Sequence, residues 1–410
     1  MALYIPDRHE ALQTKPWSLI KAKKIITEIV ELAIKSFQGD QLWPVHPDLR
    51  NAYHLIQPIT GLFNGAAGSI WALMQLQQRN TQIPAYDFTP YMDTLINKQA
   101  VHLAEYDPKA NIEVHSPGYL LGYAGINLLR FKLTHDASVL DILEDNIKIN
   151  ITNPIHELMW AAPGTMLCAW FLYLETGQQR WCDLYMQSAA YLFSKWEFDT
   201  LHQFFIWTQH IYGTNAKYLG VVHGFAGNVF TLLQGMQLLS DEDQQQLISR
   251  TENTILTTAK IEADLANWLP CLDGSRPEQD QYLVQICHGA PSIVLGVAGL
   301  WPLASEEFKK LLIKAGNLIW QAGPLKKPWG LCHGTAGNGY AFLKLYKLTG
   351  DKIWYERALQ FAMHAIHQYE TMRDHYACIR TDAWCGDLGL ALYLQDCIDQ
   401  SDKFPMMDYF

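Results

Sequence analysis

The sequence predicts an all-α protein, built as a double-layered α/α toroid of seven inner and seven outer helices. Two observations support this prediction. A pair of small residues spaced three apart recurs along the chain, each time before a run with apolar residues at helical spacing. Between these runs lie amphipathic stretches such as "SEEFKKLLIKAGNLIWQAG". Strand-like alternation is scarce, so an apolar helix and an amphipathic helix make up each repeat.

The repeat begins seven times, at intervals from 39 residues (Gly122 to Ala161) to 65 residues (Gly224 to Gly289). The signature is Gly-x-x-Gly in five copies, while Ala161 replaces the first glycine of the third copy and Ser292 the second glycine of the fifth. The first small residues of the seven copies are Gly65, Gly122, Ala161, Gly224, Gly289, Gly334 and Gly386.

Glycines three apart lie on one face of a helix start and allow another backbone to approach closely. We also expect them to leave the first-turn N–H groups accessible. An apolar helix belongs in an inner layer and an amphipathic one outside, so seven pairs close into a ring whose inner N-termini surround one mouth. We predict a single domain over residues 1–410, with residues 1–50 as an N-terminal helical extension packed on the toroid or as its first outer helix.

The composition, the net charge and the apolar runs argue against several classes of protein. The 410 residues are 49% hydrophobic and carry a net charge of −10, which argues against nucleic acid as a main partner because phosphate binding needs a basic face. The longest apolar run, residues 292–304, is too short for a membrane span. The first residues lack the pattern of a secretory signal, so a cytoplasmic location is expected. Eight cysteines are too few for a disulfide-stapled scaffold of this length.

Two copies of Cys-His-Gly suggest a metal site. "QICHGAP" carries Cys287, and "GLCHGTAGN" carries Cys332 and His333, all at positions that the repeat brings to the mouth. Zinc takes thiolate and imidazole ligands, and a catalytic zinc site has three protein ligands and one open position. The alternative is that both copies are ordinary helix starts with buried thiols.

Two further residues face the same mouth. His223, in "VVHGFAG", could act as a general acid or base, since histidine titrates near neutral pH. Glu157, in "HELMWAAPG", lies four residues before Ala161. The alternatives are a capping or packing histidine and a carboxylate that is merely favoured by the helix dipole.

Together these motifs resemble the lanthionine synthetase C-like family, the lanthipeptide cyclases and their eukaryotic relatives. The likeness runs from about residue 62 to the C-terminal "KFPMMDYF". "HGFAG", "CHGAP" and "GLCHGTAGN" follow one another in the family's order and spacing. "LPCLDG", "GPLKKPWGLCHGTAGNGYAFLKLY" and "CIRTD" are similar to the eukaryotic-type, glutathione-binding members.

The resemblance implies a toroid of seven inner and seven outer helices with a zinc ion at its mouth. It assigns the zinc to Cys287, Cys332 and His333, and the proton donor to His223, with Glu157 as the acidic residue before the third repeat. It further implies that glutathione binds near the zinc. The residues that it places at the substrate are Lys327, Arg380 and His288, the last in the active site and not as a ligand.

Two departures stand out. The bacterial cyclases have tyrosine where this chain has His288 and arginine where it has Leu283. These differences weaken the hypothesis that the protein is a cyclase. The last repeat is short, and Cys385-Gly386 replaces the usual Glu-Gly, which puts the role of Arg380 in question.

The leading hypothesis is zinc-dependent addition of glutathione to dehydroalanine or dehydrobutyrine residues in a peptide or protein, forming a thioether. The alternatives are intramolecular cyclisation of a precursor peptide and a non-catalytic protein that binds glutathione or a partner. Carbohydrate processing would need two carboxylates at the mouth, and only Glu157 is a candidate. The sequence leaves open the acceptor and whether the protein is exported to act in another cell.

Overall fold

Fourteen α-helices in two layers make up the part of the chain that the structure describes. The structure is a computed structural model, and it describes residues 2–47, 58–80, 83, 85–106, 116–211, 213–272, 274, 281–376 and 378–410. Inner and outer helices alternate along the chain from α2 onward.

The inner helices are α2 (Ala66–Arg79), α4 (Tyr123–Thr134), α6 (Ala162–Thr176), α8 (Phe225–Gln234), α10 (Ala290–Val297), α12 (Thr335–Thr349) and α14 (Asp387–Asp399). The outer helices are α1 (Leu19–Ser36), α3 (Met92–Tyr106), α5 (Ser138–Asn150), α7 (Gln179–Ser194), α9 (Asp241–Thr258), α11 (Glu306–Ala322) and α13 (Lys352–Tyr376).

Short strands form four antiparallel hairpins in the described residues. They are β1 (Glu197–Asp199) with β2 (Phe204–Ile206), β3 (Gln209–Ile211) with β4 (Thr214–Ala216), β5 (Lys260–Glu262) with β6 (Leu265–Asn267), and β7 (Val284–Gln285) with β8 (His288–Gly289). The last hairpin contains the first Cys-His-Gly motif, so Cys287 lies in its turn.

The inner helices close into a ring. Each contacts the next inner helix along the chain, and α14 returns to contact α2. In α6 every residue from Ala162 to Leu172 is buried, whereas α11 buries only the side that faces the inner layer. This difference in burial matches the hydrophobic pattern of the two helices, because an inner helix is surrounded by protein and an outer helix has one solvent-exposed face. The predicted all-α toroid is confirmed.

Helix α1 lies in the outer layer. It packs against α14 and α13, and its first turn is capped by Ser18, whose Oγ accepts a hydrogen bond from the Lys21 N–H at 3.2 Å. The N-terminal segment therefore supplies one of the seven outer helices. The single-domain organisation stays a prediction, and residues 1 and 48–50 of the predicted extension lie outside the described residues.

In six of the seven repeats the second small residue touches the loop that precedes its own helix; in the fifth, where Ser292 takes that place, Gly289 makes the close contact instead, to Leu283 O. A Cβ added at Gly337 would lie 1.8 Å from the Leu331 carbonyl oxygen, which no side chain tolerates. The same contact to the carbonyl six residues upstream occurs, at 2.0 or 2.1 Å, at Gly68, Gly125, Gly164, Gly227 and Gly389. The glycines thus let the loop fold back onto the helix start, as the repeat predicts.

The expectation that the first-turn N–H groups are accessible is wrong. Because the loop folds back, its own carbonyls accept these hydrogen bonds. The N–H groups of Ala66, Phe225 and Ala336 each donate to a carbonyl seven residues upstream at 2.9 Å. Backbone carbonyls thus replace the side-chain caps that helix starts usually need, and these groups are not available to a substrate.

Backbone hydrogen bonds link the folded-back turns of successive repeats. The residues involved all stand two positions before the first small residue of their repeat. The links run from Cys287 N–H to Cys332 O (3.4 Å), Cys332 N–H to Trp384 O (2.8 Å), Trp384 N–H to Phe63 O (3.2 Å), Phe63 N–H to Leu120 O (2.9 Å) and Leu120 N–H to Met159 O (3.2 Å). Equivalent residues of neighbouring repeats are therefore neighbours in space, and Cys287 and Cys332 are such a pair.

The first prediction concerns the helix-start glycines. Gly337→Ala forces its Cβ into the Leu331 carbonyl and should lower the free energy of unfolding by about 3 kcal/mol or more. Chemical denaturation followed by circular dichroism measures this change. Gly299→Ala is the control, because its nearest neighbour is the flexible Leu233 side chain at 3.4 Å. Equal stability of the two variants would contradict the role of the close contact.

The second prediction concerns His102 on α3. Its Nδ1 accepts the Thr60 N–H at 3.4 Å, and burial lowers the pKa of His102 to about 4. Below pH 6.5 this histidine therefore binds a proton in the unfolded chain, whereas in the folded protein it stays neutral until the pH approaches 4. Stability is retained above pH 6.5 and falls towards pH 4, by up to about 1.4 kcal/mol per pH unit from this group.

Urea unfolding at pH 7 and pH 5 tests this contribution. His102→Asn keeps an oxygen that can accept the Thr60 N–H but does not titrate, so its loss of stability between the two pH values should be smaller than that of the wild type. His135→Asn is the control, since His135 is an exposed residue in the left-handed conformation that asparagine tolerates. The same pH dependence in His102→Asn and the wild type would contradict the prediction.

Candidate functional site

One position in each repeat lines the entrance to the ring. It is the residue directly before the first small residue, and we call the seven residues at this position the mouth. They are Asn64, Leu121, Trp160, His223, His288, His333 and Cys385. Four consecutive repeats thus place three histidines and a cysteine at neighbouring positions of the mouth. This pattern becomes visible in the sequence only when the repeats are aligned.

Three possible metal donors converge at the mouth. The Sγ atoms of Cys287 and Cys332 are in contact, and their Cα atoms are 5.9 Å apart. His333 Nε2 lies 3.2 Å from Cys287 Sγ and 3.7 Å from Cys332 Sγ. Both cysteines are buried, and the three donor atoms lie within 4.8 Å of one another. This group could hold a metal ion.

The contact between the two sulfurs also fits a disulfide, so two chemical states must be compared. A disulfide would account for the two cysteines but not for the imidazole nitrogen aimed at both sulfurs. Two thiolates and one imidazole nitrogen are a donor set that zinc takes, and three protein donors leave a tetrahedral ion one position for another ligand. The donor set therefore favours a metal site.

His333 stands at the centre of a group of positive charges. Burial lowers the pKa of His333 to about 3, and Lys327, His223, Arg380 and Arg8 act in the same direction. Its imidazole is therefore neutral at physiological pH, which is the form that coordinates metals. Four basic side chains from four separate chain segments thus surround one possible metal donor.

Glu157 and His223 form a pair. Glu157 Oε2 lies 3.1 Å from His223 Nδ1, and the Glu157 side chain is fully buried. Its two oxygens also accept the N–H groups of Met159 (3.1 Å) and Trp160 (2.6 Å), which fixes the carboxylate in the turn before α6. The carboxylate orients the imidazole and offsets the charge of an imidazolium. The sequence predicted both residues at the mouth but not their contact.

His288 lies between His223 and His333 in the mouth. It is 8% exposed, and its ring stacks on that of Tyr218 with 6.0 Å between the centroids. Burial lowers the pKa of His288 to about 3, with smaller contributions from His223, His333 and Arg8. A neutral, buried ring of this kind contributes shape and a hydrogen-bonding nitrogen to the site, not a charge.

The two predicted substrate cations differ in their surroundings. Lys327 is exposed at the rim, and the surrounding protein together with Arg8 lowers the pKa of Lys327, while Cys385 acts in the opposite direction. Arg380 is largely buried, and its Nε donates to Asp382 Oδ2 at 2.7 Å. Among the described residues only Nε of this guanidinium has a side-chain partner, so its two terminal nitrogens have none, and its charge acts on His333.

The sequence analysis missed Arg8. Its Nη2 donates to Gln285 Oε1 at 3.0 Å, two residues before Cys287, and its charge acts on His288, His333 and Lys327. Within the described part of the chain, neither Arg8 nor Lys327 forms an ion pair. The only signal in the sequence is an arginine in a stretch before α1 without helical periodicity, and such a stretch does not show where it packs.

Cys385 is the other residue whose placement the sequence analysis left open. It is equivalent to His333 in the next repeat, and it lies beside Lys327 and Arg380. Burial and Asp382 raise the pKa of Cys385 to about 12 despite these two cations, so its thiol is neutral at physiological pH. It lies outside the donor group of Cys287, Cys332 and His333.

Comparisons with known proteins agree with this architecture. Residues 139–408 match the family described as "Lanthionine synthetase C-like protein". "Glutathione S-transferase LANCL1" of Danio rerio is 33% identical over 147 residues, 36% of this chain and 35% of that protein. "LanC-like protein GCL1" of Arabidopsis thaliana is 34% identical over 150 residues, 36% of this chain and 32% of that protein. These alignments span about a third of the length of each relative.

A solved structure shares the fold. "Nisin cyclase" superposes with a TM-score of 0.55 at 17% sequence identity, covering 92% of this chain and 93% of that one. Helices long and apolar enough to span a bilayer are absent from the described residues. The cytoplasmic location and the absence of a nucleic-acid partner stay predictions.

The third prediction concerns the metal. Purified under reducing conditions, the wild type should contain about one zinc ion per chain, and Cys332→Ala should lose most of it because two donors hold zinc far less well than three. Cys182→Ala is the matched control, since it removes a buried cysteine of outer helix α7. Elemental analysis gives the stoichiometry. Retention of zinc by Cys332→Ala, or a wild type that holds a disulfide and no zinc, would contradict the metal reading.

Proposed function

This chain belongs to the lanthionine synthetase C-like family, and we propose that it adds the thiol of glutathione to dehydroalanine or dehydrobutyrine residues of a peptide or protein. The reaction breaks the S–H bond of glutathione and the carbon–carbon π bond of the substrate, joins the sulfur to the β-carbon and places a proton on the α-carbon. The product is a thioether, and nothing leaves. The observation that carries the proposal is the meeting of a possible metal-binding donor group, an acid–histidine pair and unpaired cations around one mouth.

Cys287, Cys332 and His333 are the residues that would hold a zinc ion. When bound, zinc would supply the acidity that converts a substrate thiol into a thiolate at neutral pH. Two cysteine thiolates and a neutral imidazole are ligands that suit zinc, which supports this assignment.

The three cations around His333, which are Arg8, Lys327 and Arg380, would hold glutathione. Glutathione carries two carboxylates, and Arg8, Lys327 and the free nitrogens of Arg380 offer positive charge with no carboxylate of the described protein engaging Arg8 or Lys327. Charge-assisted hydrogen bonds to carboxylates are strong when the partners are partly shielded from water. The rest of this protein is acidic, so a cation cluster here marks the place for an anionic ligand.

His223 would deliver the proton. Attack on the β-carbon leaves negative charge that reaches the α-carbon, and a protonated histidine can quench it. Glu157 binds Nδ1 of His223, so transfer would use Nε2, and the buried carboxylate keeps the ring in one orientation through the cycle. His288 lies beside His223 and would shape the pocket for the acceptor peptide.

The name of the zebrafish relative supports a glutathione transferase, while the cyclase neighbour supports the fold alone. Intramolecular cyclisation uses a cysteine of the precursor peptide and needs no separate anionic thiol. It therefore gives no role to the unpaired cations Arg8 and Lys327. We therefore favour the intermolecular reaction, and the mass of the product separates the two: addition adds one glutathione, and cyclisation leaves the mass unchanged.

The fourth prediction tests this activity. With zinc-loaded protein, a dehydroalanine peptide and glutathione, mass spectrometry should show a gain of one glutathione per acceptor residue. His223→Ala should lower kcat by about 100-fold or more, since a positioned acid contributes roughly that factor, with glutathione binding retained. His210→Ala is the control, because His210 is exposed on the β3–β4 hairpin.

Two outcomes would overturn the proposal. The first is a wild type that binds zinc but leaves both the mass and the free-thiol content of the peptide mixture unchanged. The second is a His223→Ala variant as active as the wild type and His210→Ala, which would remove the histidine from the reaction.

A further inference from the structure

The segment before α1 runs beside the Lys327 loop and Gln285 as a strap, defined here as residues 2–16. Its backbone pairs with the loop that carries Lys327. The Glu10 N–H donates to Pro324 O at 2.9 Å, and the Lys326 N–H donates to Arg8 O at 3.0 Å. Arg8 and Lys327, the two unpaired cations, are therefore positioned by one short antiparallel contact between two loops.

Side-chain hydrogen bonds hold the first half of the strap: Asn267 Nδ2 donates to Leu3 O at 2.7 Å, and His9 Nδ1 lies 2.9 Å from Gly323 O. Leu3 and His9 are buried, but most residues from 11 to 16 are exposed. A cavity of about 240 Å³ separates part of the strap from α13, and an open groove runs along the side that faces α11. Residues 11–16 have cavities nearby and few buried contacts, so this part of the strap opens locally at low cost.

One carboxylate fastens the strap to helix α13. Glu10 Oε1 accepts hydrogen bonds from His364 Nε2 at 2.8 Å and from Gln368 Nε2 at 2.7 Å. His364 Nδ1 accepts the Gln13 N–H at 3.1 Å, so the ring carries its proton on Nε2 and donates it to Glu10. We call Glu10, Gln13, His364 and Gln368 the latch.

The latch continues into the metal motif. Gln368 Nε2 also donates to Leu325 O at 2.7 Å, and Gln368 Oε1 accepts from Thr335 Oγ1 at 2.7 Å. Thr335 is the first residue of α12, two residues after His333. A single glutamine side chain thus joins the strap, the Lys327 loop and the start of α12, directly after the turn that holds the possible metal donors Cys332 and His333.

We propose that Glu10 is a positioning residue, which latches the strap onto α13 and thereby fixes Arg8 beside Lys327 over the mouth. The inference rests on the proposed function, since it assigns Arg8 and Lys327 to the binding of anionic glutathione. Glu10 itself lies on the far side of the strap, against α13, and acts through the backbone that it holds. Opening of the latch carries Arg8 away from the site, so the strap can admit and retain the thiol substrate.

The fifth prediction follows. Glu10→Ala removes the acceptor of both hydrogen bonds and should raise KM for glutathione about tenfold while kcat changes less than about twofold, because the chemistry at His223 is untouched. Glu10→Gln keeps an oxygen in the place of Oε1 and should restore KM to within about threefold of the wild type. Asp7→Ala is the control, since it removes an exposed acid of the same strap. Steady-state kinetics by mass spectrometry give all three values.

A double-mutant cycle tests whether Glu10 acts through Arg8. If it does, Glu10→Ala should have almost no further effect on KM in an Arg8→Ala background, because the guanidinium that it positions is gone. Independent, multiplicative effects of the two substitutions would overturn the positioning role.

Hydrogen–deuterium exchange of zinc-loaded protein without glutathione gives a readout that does not need turnover. Glu10→Ala should speed exchange of the peptides that contain Glu10 and Lys326, while Asp7→Ala and Glu10→Gln should not. Unchanged exchange in Glu10→Ala would overturn the latch. Faster exchange with an unchanged KM would overturn the role in binding. A wild type without glutathione addition would refute the proposed function instead, and the exchange data would still decide the latch.

Discussion

The close contact between a glycine at each inner-helix start and the carbonyl six residues upstream is the constraint on which the rest of the molecule depends. It folds the preceding loop onto the helix start, and the loop's own carbonyls then satisfy the first-turn N–H groups. The folded turns in turn hydrogen-bond from one repeat to the next. Side chains on either side of each turn are thereby held at fixed places around the ring, and the site is built from those places.

The chemistry of the mouth follows from its electrostatics. An acidic protein gathers Arg8, Lys327 and Arg380 around neutral His288 and His333, and only Arg380 has a carboxylate partner within the described residues. Buried imidazoles beside cations resist protonation, so they are suited to bind a metal or to shape a pocket. His223 differs because a buried carboxylate touches it and orients its ring, and the proposed function assigns the proton transfer to it. Neighbouring repeat positions thus serve different tasks through their surroundings.

Most of the fold could be predicted, because hydrophobic spacing and small-residue pairs are local features that each repeat displays by itself. The donor group Cys287, Cys332 and His333 could also be expected, since repeat alignment brings equivalent residues together. The prediction failed for the first-turn N–H groups, because the fate of a backbone donor depends on how the preceding loop folds. It missed Arg8 for a related reason: the strap has no periodic pattern, and long-range backbone pairing with residues 324–326 decides where it lies.

The sequence by itself determined the helical layers, the seven-fold repeat and the identity of the seven mouth residues. These features depend on the periodicity and spacing of residues along the chain. Only the tertiary structure decided which of these residues touch. The Glu157–His223 contact spans 66 positions, and the Glu10 latch on α13 spans more than 350. Such contacts arise when the ring closes and distant segments share one surface, so their geometry depends on packing around the whole toroid.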